Sequence, residues 1–140
     1  MNEPMKYSFE DIKIGQSKDF QIIVDEKLVD SFAKISGDFN PLHMDNEYAK
    51  NTKFGKRICH GMLLASFFSQ IIGMYLPGVN ALYFSQNLNF VNPCFVGDKV
   101  KISGEIIDKS EATRIIKVKT TVKNQQEELV VEGTAQVIVR

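Results

Sequence analysis

The stretch MLLASFFSQIIGMYL, residues 62–76, decides how this chain folds. It is apolar on nearly every face at helical spacing, which predicts a helix buried on most sides, and Pro77-Gly78 ends it. The run has 15 residues and includes Ser66 and Ser69, so it is too short and too polar to span a bilayer. We therefore expect this helix to form the core of the domain.

Ahead of this helix, the sequence predicts one strand and two shorter helices. Alternation over residues 20–24 favours a strand, and Asp25 can cap a helix that Gly37 ends in the left-handed conformation. Asp45 can cap a short turn of helix. Residues 51–57 are predicted to form an irregular surface loop.

Beyond the helix the chain is almost entirely β, with long runs rich in Val, Ile, Thr and aromatic residues. Strands are predicted over residues 81–91, 99–108, 113–123 and 128–139. Helices early and strands late indicate an α+β fold, in which an antiparallel sheet of about five strands wraps one long buried helix. With 140 residues, we expect a single domain over residues 1–140.

The overall charge excludes several classes of partner. The chain has 17 basic and 17 acidic residues and no basic block, which argues against a nucleic acid or an anionic membrane as the main partner. The N-terminus lacks an apolar signal segment, and Cys59 and Cys94 form no disulfide framework, so we expect reduced thiols and a cytoplasmic protein. Cys59, His60, Cys94 and His43 lack metal-ligand spacing, so no metal is expected.

The segment SGDFNPLH, residues 36–43, carries the first chemical signal. Gly37 can end the helix in the left-handed conformation and Pro41 fixes its own φ, so Asp38 and His43, five residues apart, leave the segment in defined directions. A carboxylate and an imidazole held together form an acid–base pair. The alternative is an ordinary helix end followed by a turn, since Gly, Asp, Asn and Pro all favour turns.

A second motif, CHGMLLA at residues 59–65, follows at the start of the apolar helix. Together the two motifs resemble the signature of the MaoC-like hydratases, in particular the short single-domain (R)-specific enoyl-CoA hydratases. The resemblance extends through QNLNF at residues 86–90 and FVGD at residues 95–98, and covers roughly residues 15–110. It implies a hot-dog fold and side-by-side homodimers.

The resemblance also assigns chemistry to the first motif. It makes Asp38 the general base and gives His43 the role of orienting the water and assisting protonation at the α-carbon. Which of the two protonates that carbon is left open. Asn40 is expected at the substrate-binding segment, where its hydrogen bonds tie down the loop, and His60 is expected to support the turn structurally.

The enolate formed during hydration needs a hydrogen-bond donor, and the backbone N–H of Gly61 at the helix start is the best candidate. Gly61, Ala65, Ser69 and Gly73 recur every four residues along one helix face. This stripe indicates either tight packing or a tunnel for the acyl chain. In the tunnel interpretation Ala65 and Ser69 line the wall, with Ser69 matching the family's substrate-contacting serine, and Ile72 limits chain length.

The function expected from these residues is (R)-specific hydration of trans-2-enoyl-CoA to (R)-3-hydroxyacyl-CoA, reversible, on short-to-medium chains and without a cofactor. Alternatives are dehydration of 3-hydroxyacyl-ACP, thioester hydrolysis, and a non-catalytic acyl-CoA-binding module. An uncovered sheet edge favours at least a homodimer. The phosphoadenosine of CoA would then bind near the subunit junction, where Lys53 and Lys56 are candidate contacts.

Overall fold

The computed structural model describes residues 2–140 and has the predicted α+β architecture. Its strands are β1 (Ser17–Ile23), β2 (Ala81–Gln86), β3 (Asn89–Phe90), β4 (Lys99–Ser110), β5 (Ile115–Lys123) and β6 (Leu129–Val139). Its helices are α1 (Glu26–Ser36), α2 (Pro41–Met44), α3 (Asn46–Lys50), α4 (Gly61–Ser66) and α5 (Phe68–Gln70), followed by a π-helical segment (Ile71–Tyr75). Among the described helices, none has the length and apolar character needed to cross a membrane.

The sheet is antiparallel, in the order β1-β4-β5-β6-β2, with β3 as a short sixth strand beside β6. The single strand predicted over residues 81–91 is wrong, because regular pairing with β6 is interrupted between β2 and β3, although the register is the same on both sides. There the carbonyl of Asn87 crosses close over Gly133, where an added Cβ would lie 1.9 Å from that oxygen. Asn87 Oδ1 also accepts a hydrogen bond from Thr134 N at 3.0 Å, which holds the crossing in place.

Residues 61–75, which we call the central helix, pack their buried side chains against the sheet. Leu64, Phe68, Ile71 and Ile72 are each at most 1% exposed. The segment is not one continuous α-helix. Residue 67 separates α4 from α5, and the π-helical segment follows α5. Its last turn widens because Leu76 N donates to the carbonyl of Ile71, five residues back, at 2.8 Å.

The central helix is buried on most sides, as predicted, and exposed on one. Met62 is 56% exposed, and Ser66, Ser69 and Gly73 are exposed as well. The face that lies away from the sheet is therefore uncovered in one copy of the chain.

The ends of α1 are those predicted. The side chain of Asp25 accepts from Leu28 N at 2.8 Å, and Gly37 adopts φ +79° with its N–H donating to the carbonyl of Ala33. The helix therefore delivers the chain directly to Asp38.

Candidate active site

His43 lies on a one-turn helix, α2, which was not predicted from the sequence. Asn40 caps α2, since its Oδ1 accepts from Leu42 N at 3.0 Å, and Pro41 is the first helical residue. An Asn followed by a Pro is a local signal for a helix start. The signal was present in the sequence, and it fixes the direction of the His43 side chain.

Asp38 is held by two short-range hydrogen bonds. Its N–H donates to Ser36 Oγ at 3.1 Å, and its Oδ1 accepts from Asn40 N at 3.1 Å. The second oxygen, Oδ2, lies 4.0 Å from His43 Nε2, and the Asp38 side chain is 49% exposed. This separation is too long for a direct hydrogen bond and suits a bridging water.

The tautomer of His43 follows from its second ring nitrogen. Nδ1 lies 2.8 Å from the carbonyl oxygen of Ile58, and a carbonyl can only accept, so Nδ1 carries the hydrogen. In the neutral ring Nε2 then presents a lone pair toward Asp38. Both groups facing the 4.0 Å gap are acceptors, so a water between them donates one hydrogen to each and directs its oxygen lone pairs outward.

His60 makes the structural hydrogen bond expected of it. Its Nε2 lies 3.0 Å from the carbonyl oxygen of Asp38, and its ring centroid lies 4.1 Å from that of His43 and 5.0 Å from that of Phe32. Burial lowers the pKa of His60 and favours the neutral ring. His60 therefore holds the backbone of Asp38 by a hydrogen bond and packs against the ring of His43.

The arrangement does not fit a metal centre, although Asp38, His43 and His60 offer nitrogen and oxygen atoms within 4.8 Å of one another. The two imidazole rings stack at 4.1 Å with an interplanar angle of 32°. Lone pairs of imidazole lie in the ring plane, so stacked rings do not aim them at a common ion. Cys59 and Cys94 are buried free thiols, and the hydrogen bond that the Cys94 thiol shares with Cys59, together with burial, raises the pKa of Cys94.

A cavity of about 390 Å³ opens beside His43 and Gly61, a volume within the range of small-molecule sites. Its remaining lining is mostly apolar: Phe54, Ile58, Cys59, Met62, Leu64, Phe90, Val91, Asn92, Pro93, Cys94, Val130 and Val131. Gly61 is the first residue of α4, so its N–H has no acceptor within that helix. An added Cβ at Gly61 would lie 2.5 Å from Phe90 Cδ1, so the aromatic wall requires a glycine here.

The structure does not bring the predicted tunnel residues to this cavity. Ala65 and Ile72 are buried in the core, Ser69 is exposed, and none of the three lines the cavity. Asn40 caps α2. The acyl tunnel along the stripe, and a substrate contact by Asn40, stay predictions.

Sequence reasoning missed Arg57, which was assigned to a surface loop. Its side chain is 7% exposed, and its Nε donates to the carbonyl oxygen of His43. An isolated arginine in a polar segment carries no periodicity, so no local pattern could have revealed its burial.

Residues 9–128 match the family model described as the MaoC-like domain. The chain is 39% identical over 130 residues to the (R)-specific enoyl-CoA hydratase of Aeromonas caviae, covering 93% of this chain and 97% of that protein. It is 33% identical over 130 residues to the mitochondrial 3-hydroxyacyl-[acyl-carrier-protein] dehydratase of Arabidopsis thaliana, covering 91% of this chain and 77% of that protein.

Solved structures agree in fold. The unliganded R-hydratase of Pseudomonas aeruginosa superposes with a TM-score of 0.93 at 33% identity, covering 99% of this chain and 88% of that one. The Aeromonas caviae (R)-hydratase involved in PHA biosynthesis gives a TM-score of 0.90, covering 92% of this chain and 98% of that one. On the strength of both comparisons, the chain belongs to the MaoC-like family.

Proposed function

We propose that this chain is an enoyl-CoA hydratase that converts trans-2-enoyl-CoA to (R)-3-hydroxyacyl-CoA and catalyses the reverse dehydration. The observation that carries the proposal is the pair of acceptors, Asp38 Oδ2 and His43 Nε2, 4.0 Å apart, with His43 in the lining of an apolar cavity. Such a pair can hold and activate one water. The (R)-specific hydratase with 39% identity over nearly its whole length supports the same reaction.

The reaction follows from the geometry. A water that donates to Asp38 and His43 directs its oxygen at the β-carbon of the enoyl group, and Asp38 takes a proton as the new C–O bond forms. The electrons of the double bond move to the thioester oxygen. The N–H of Gly61, in the same cavity as His43, stabilises this enolate.

The second half of the reaction returns a proton to the α-carbon from the same pair. Both hydroxyl and hydrogen then reach the substrate from one side, which gives one stereoisomer. The protein residues supply each step of this sequence, so the proposed reaction calls for no cofactor.

We further propose that two copies associate through the edge of β2. This strand pairs only with β6 within the described chain, and it exposes Leu82 and Phe84, which are 53% and 60% accessible. A second copy that covers this edge also reaches the uncovered side of the central helix, where Ser69 lies. Such a junction would complete the acyl tunnel and bind the phosphoadenosine of CoA.

The dimer is tested by light scattering at micromolar concentration. We expect a mass of two chains for the wild type and of one chain for Phe84→Glu, because a buried carboxylate is costly at an apolar contact. A wild-type monomer with full activity would contradict the proposal. We also propose that residues 1–140 act as one domain in the cytoplasm, supported by strands from both ends in one sheet and by the two free thiols.

A second candidate is dehydration of 3-hydroxyacyl-ACP, favoured by the Arabidopsis relative. The two candidate functions differ in the carrier of the acyl group, CoA or ACP, and use the same catalytic pair. Comparing kcat/KM for crotonyl-CoA and for crotonyl-ACP separates them, and we expect the CoA ester to be preferred.

The experiment that tests the main proposal is a hydration assay with crotonyl-CoA, coupled in parallel to an (R)-specific and an (S)-specific 3-hydroxyacyl-CoA dehydrogenase. We expect product to appear only with the (R)-specific enzyme. Release of free CoA thiol without hydration would instead indicate a thioesterase. Tight binding of crotonyl-CoA with neither product would indicate a non-catalytic binding module.

A further inference from the structure

Residues 57–60, which we call the strap, pass behind the catalytic pair and hold it by three hydrogen bonds. Arg57 Nε donates to the carbonyl oxygen of His43. His43 Nδ1 donates to the carbonyl oxygen of Ile58 at 2.8 Å, and His60 Nε2 donates to that of Asp38 at 3.0 Å. The strap therefore fixes both the ring and the backbone of His43.

The strap is itself anchored to the next segment of the chain. Cys59 N donates to the carbonyl of Cys94 at 2.7 Å, and Val96 N donates to the carbonyl of Arg57 at 3.1 Å. Backbone pairing thus sets the position of the strap, and the hydrogen bond from Arg57 Nε fixes the backbone of His43 relative to the strap.

Arg57 has weak ion pairs for a buried guanidinium. Its Nη1 lies 3.5 Å from Glu26 Oε1 and its Nη2 lies 3.7 Å from Asp30 Oδ1, both on α1, and both carboxylates are more than half exposed. Nη2 is buried without a hydrogen-bond partner in the described part of the chain. Burying a charge and leaving a donor unpaired both cost free energy, so stability alone does not explain an arginine here.

We infer that Arg57 is a positioning residue for the hydration proposed above, and that it holds the backbone of His43 so that Nε2 stays one water away from Asp38. Arg57 does not line the cavity and touches no substrate in this arrangement. Its influence therefore passes through His43. Glu26 and Asp30 orient the guanidinium fork, which links α1 to the geometry of the pair.

The inference is tested with Arg57→Ala, Arg57→Lys and the wild type in the crotonyl-CoA assay. Misplacing a catalytic group by about 1 Å costs on the order of 10² in rate, so we expect Arg57→Ala to lose about that factor in kcat while KM changes by less than about threefold. Lysine lacks the planar fork, so Arg57→Lys should be intermediate. Added guanidinium at millimolar concentration should restore part of the kcat of Arg57→Ala.

Arg114→Ala is the matched control. Arg114 makes the same kinds of contact, with Nε donating to the carbonyl of Val139 at 3.3 Å and Nη1 paired to Glu10 at 3.3 Å, but it does not line the cavity. Unlike Arg57, Arg114 makes no hydrogen bond to Asp38 or His43, so its removal should leave kcat unchanged. An equal loss of kcat in both variants would mean that Arg57 acts only through general stability, and would overturn the inference.

The remaining outcomes are decisive as well. A folded Arg57→Ala with wild-type kcat overturns the inference, as does a loss that appears in KM alone. If Arg57→Ala does not fold, Arg57→Lys decides: reduced kcat at constant KM supports positioning, and wild-type kcat overturns it. An inactive wild type would contradict the proposed function itself, which is a different result from an active wild type matched by its Arg57 variants.

Discussion

The catalytic pair and the exposed face of the central helix are assembled in different ways. Asp38 and His43 are held by hydrogen bonds to Ser36, Asn40 and Ile58, so their geometry is complete within one chain. Ser69, on the uncovered face of the central helix, is exposed in one chain and does not line the cavity, although Met62 at the start of that face does. The geometry of the pair is thus set within one chain, whereas in the tunnel interpretation the selection of acyl chains depends on what covers the helix.

The largest expected effect comes from removing the pair. Asp38→Asn and His43→Ala should each lower kcat by at least about 10² with little change in KM, because an amide cannot take a proton from the water and alanine cannot accept a hydrogen bond from it. Steady-state kinetics with crotonyl-CoA provide the measurement. The double variant should be little worse than either single one, and multiplied losses would show that the two residues act independently.

A smaller loss is expected from substitution of Gly61, which begins the central helix and lines the cavity beside His43. An added methyl group would lie 2.5 Å from the Phe90 ring, so Gly61→Ala must displace that ring or the start of the helix. We expect about a tenfold loss of kcat/KM as the N–H shifts, and about 1–3 kcal/mol of lost stability from overpacking. Kinetics and urea unfolding measure the two effects.

The companion variant is Gly61→Ala combined with Phe90→Ala, which removes the clash. Recovery of stability without recovery of kcat/KM would support an N–H that acts on the enolate. Recovery of both would show that Gly61 serves only the packing of the wall.

In the tunnel interpretation, substitutions along the central helix should affect chain selection more than rate. Ile72→Ala is expected to shift preference from four or six carbons toward eight or more, since each methylene accommodated is worth about 0.8 kcal/mol. The variant should also lose about 2–5 kcal/mol of stability because Ile72 is buried in the core. Ser69→Leu should block even short substrates. Relative kcat/KM values across chain lengths test both, and an unchanged profile would assign the stripe to packing.

The smallest effect is on the pH dependence of stability through His60. Burial lowers its pKa in the folded protein, so the unfolded chain takes up a proton first as pH falls below its usual value of about 6.5. Stability should therefore be fully present above that pH and decline below it. His60→Phe should flatten this decline in urea unfolding measured between pH 5 and 8. A wild-type free energy of unfolding that is constant over that range would contradict the interpretation.

Local patterns predicted most of the fold. Asp25 and Gly37 marked both ends of α1, and apolar β-rich runs marked the long strands. Two failures came from contacts distant in sequence. The break between β2 and β3 depends on Gly133, more than forty residues away, and the widened turn at Ile71 depends on how that side chain packs against Gly104.

The residues of the candidate site were also predicted only in part. Asp38, His43 and Gly61 were identified because their motifs are contiguous, and the structure places His43 and Gly61 on one cavity. Phe90 and Arg57 were missed because each acts through a partner that lies far along the chain. The one-turn helix α2 is different, because Asn40-Pro41 is a local signal for a helix start, yet no helix was predicted there.

The bond between His43 Nδ1 and the Ile58 carbonyl has a consequence for isotopic labelling. With that nitrogen occupied, His43 exchanges protons only through Nε2, on the cavity side, while the carboxylate of Asp38 is 49% exposed and open to solvent. In the dehydration direction, a deuteron taken from the α-carbon by His43 would be held on Nε2 and partly returned to the substrate, whereas one taken by Asp38 would exchange with bulk water. Deuterium retained at the α-carbon of substrate recovered from ordinary water would therefore identify His43 as the acceptor, and its complete loss would identify Asp38.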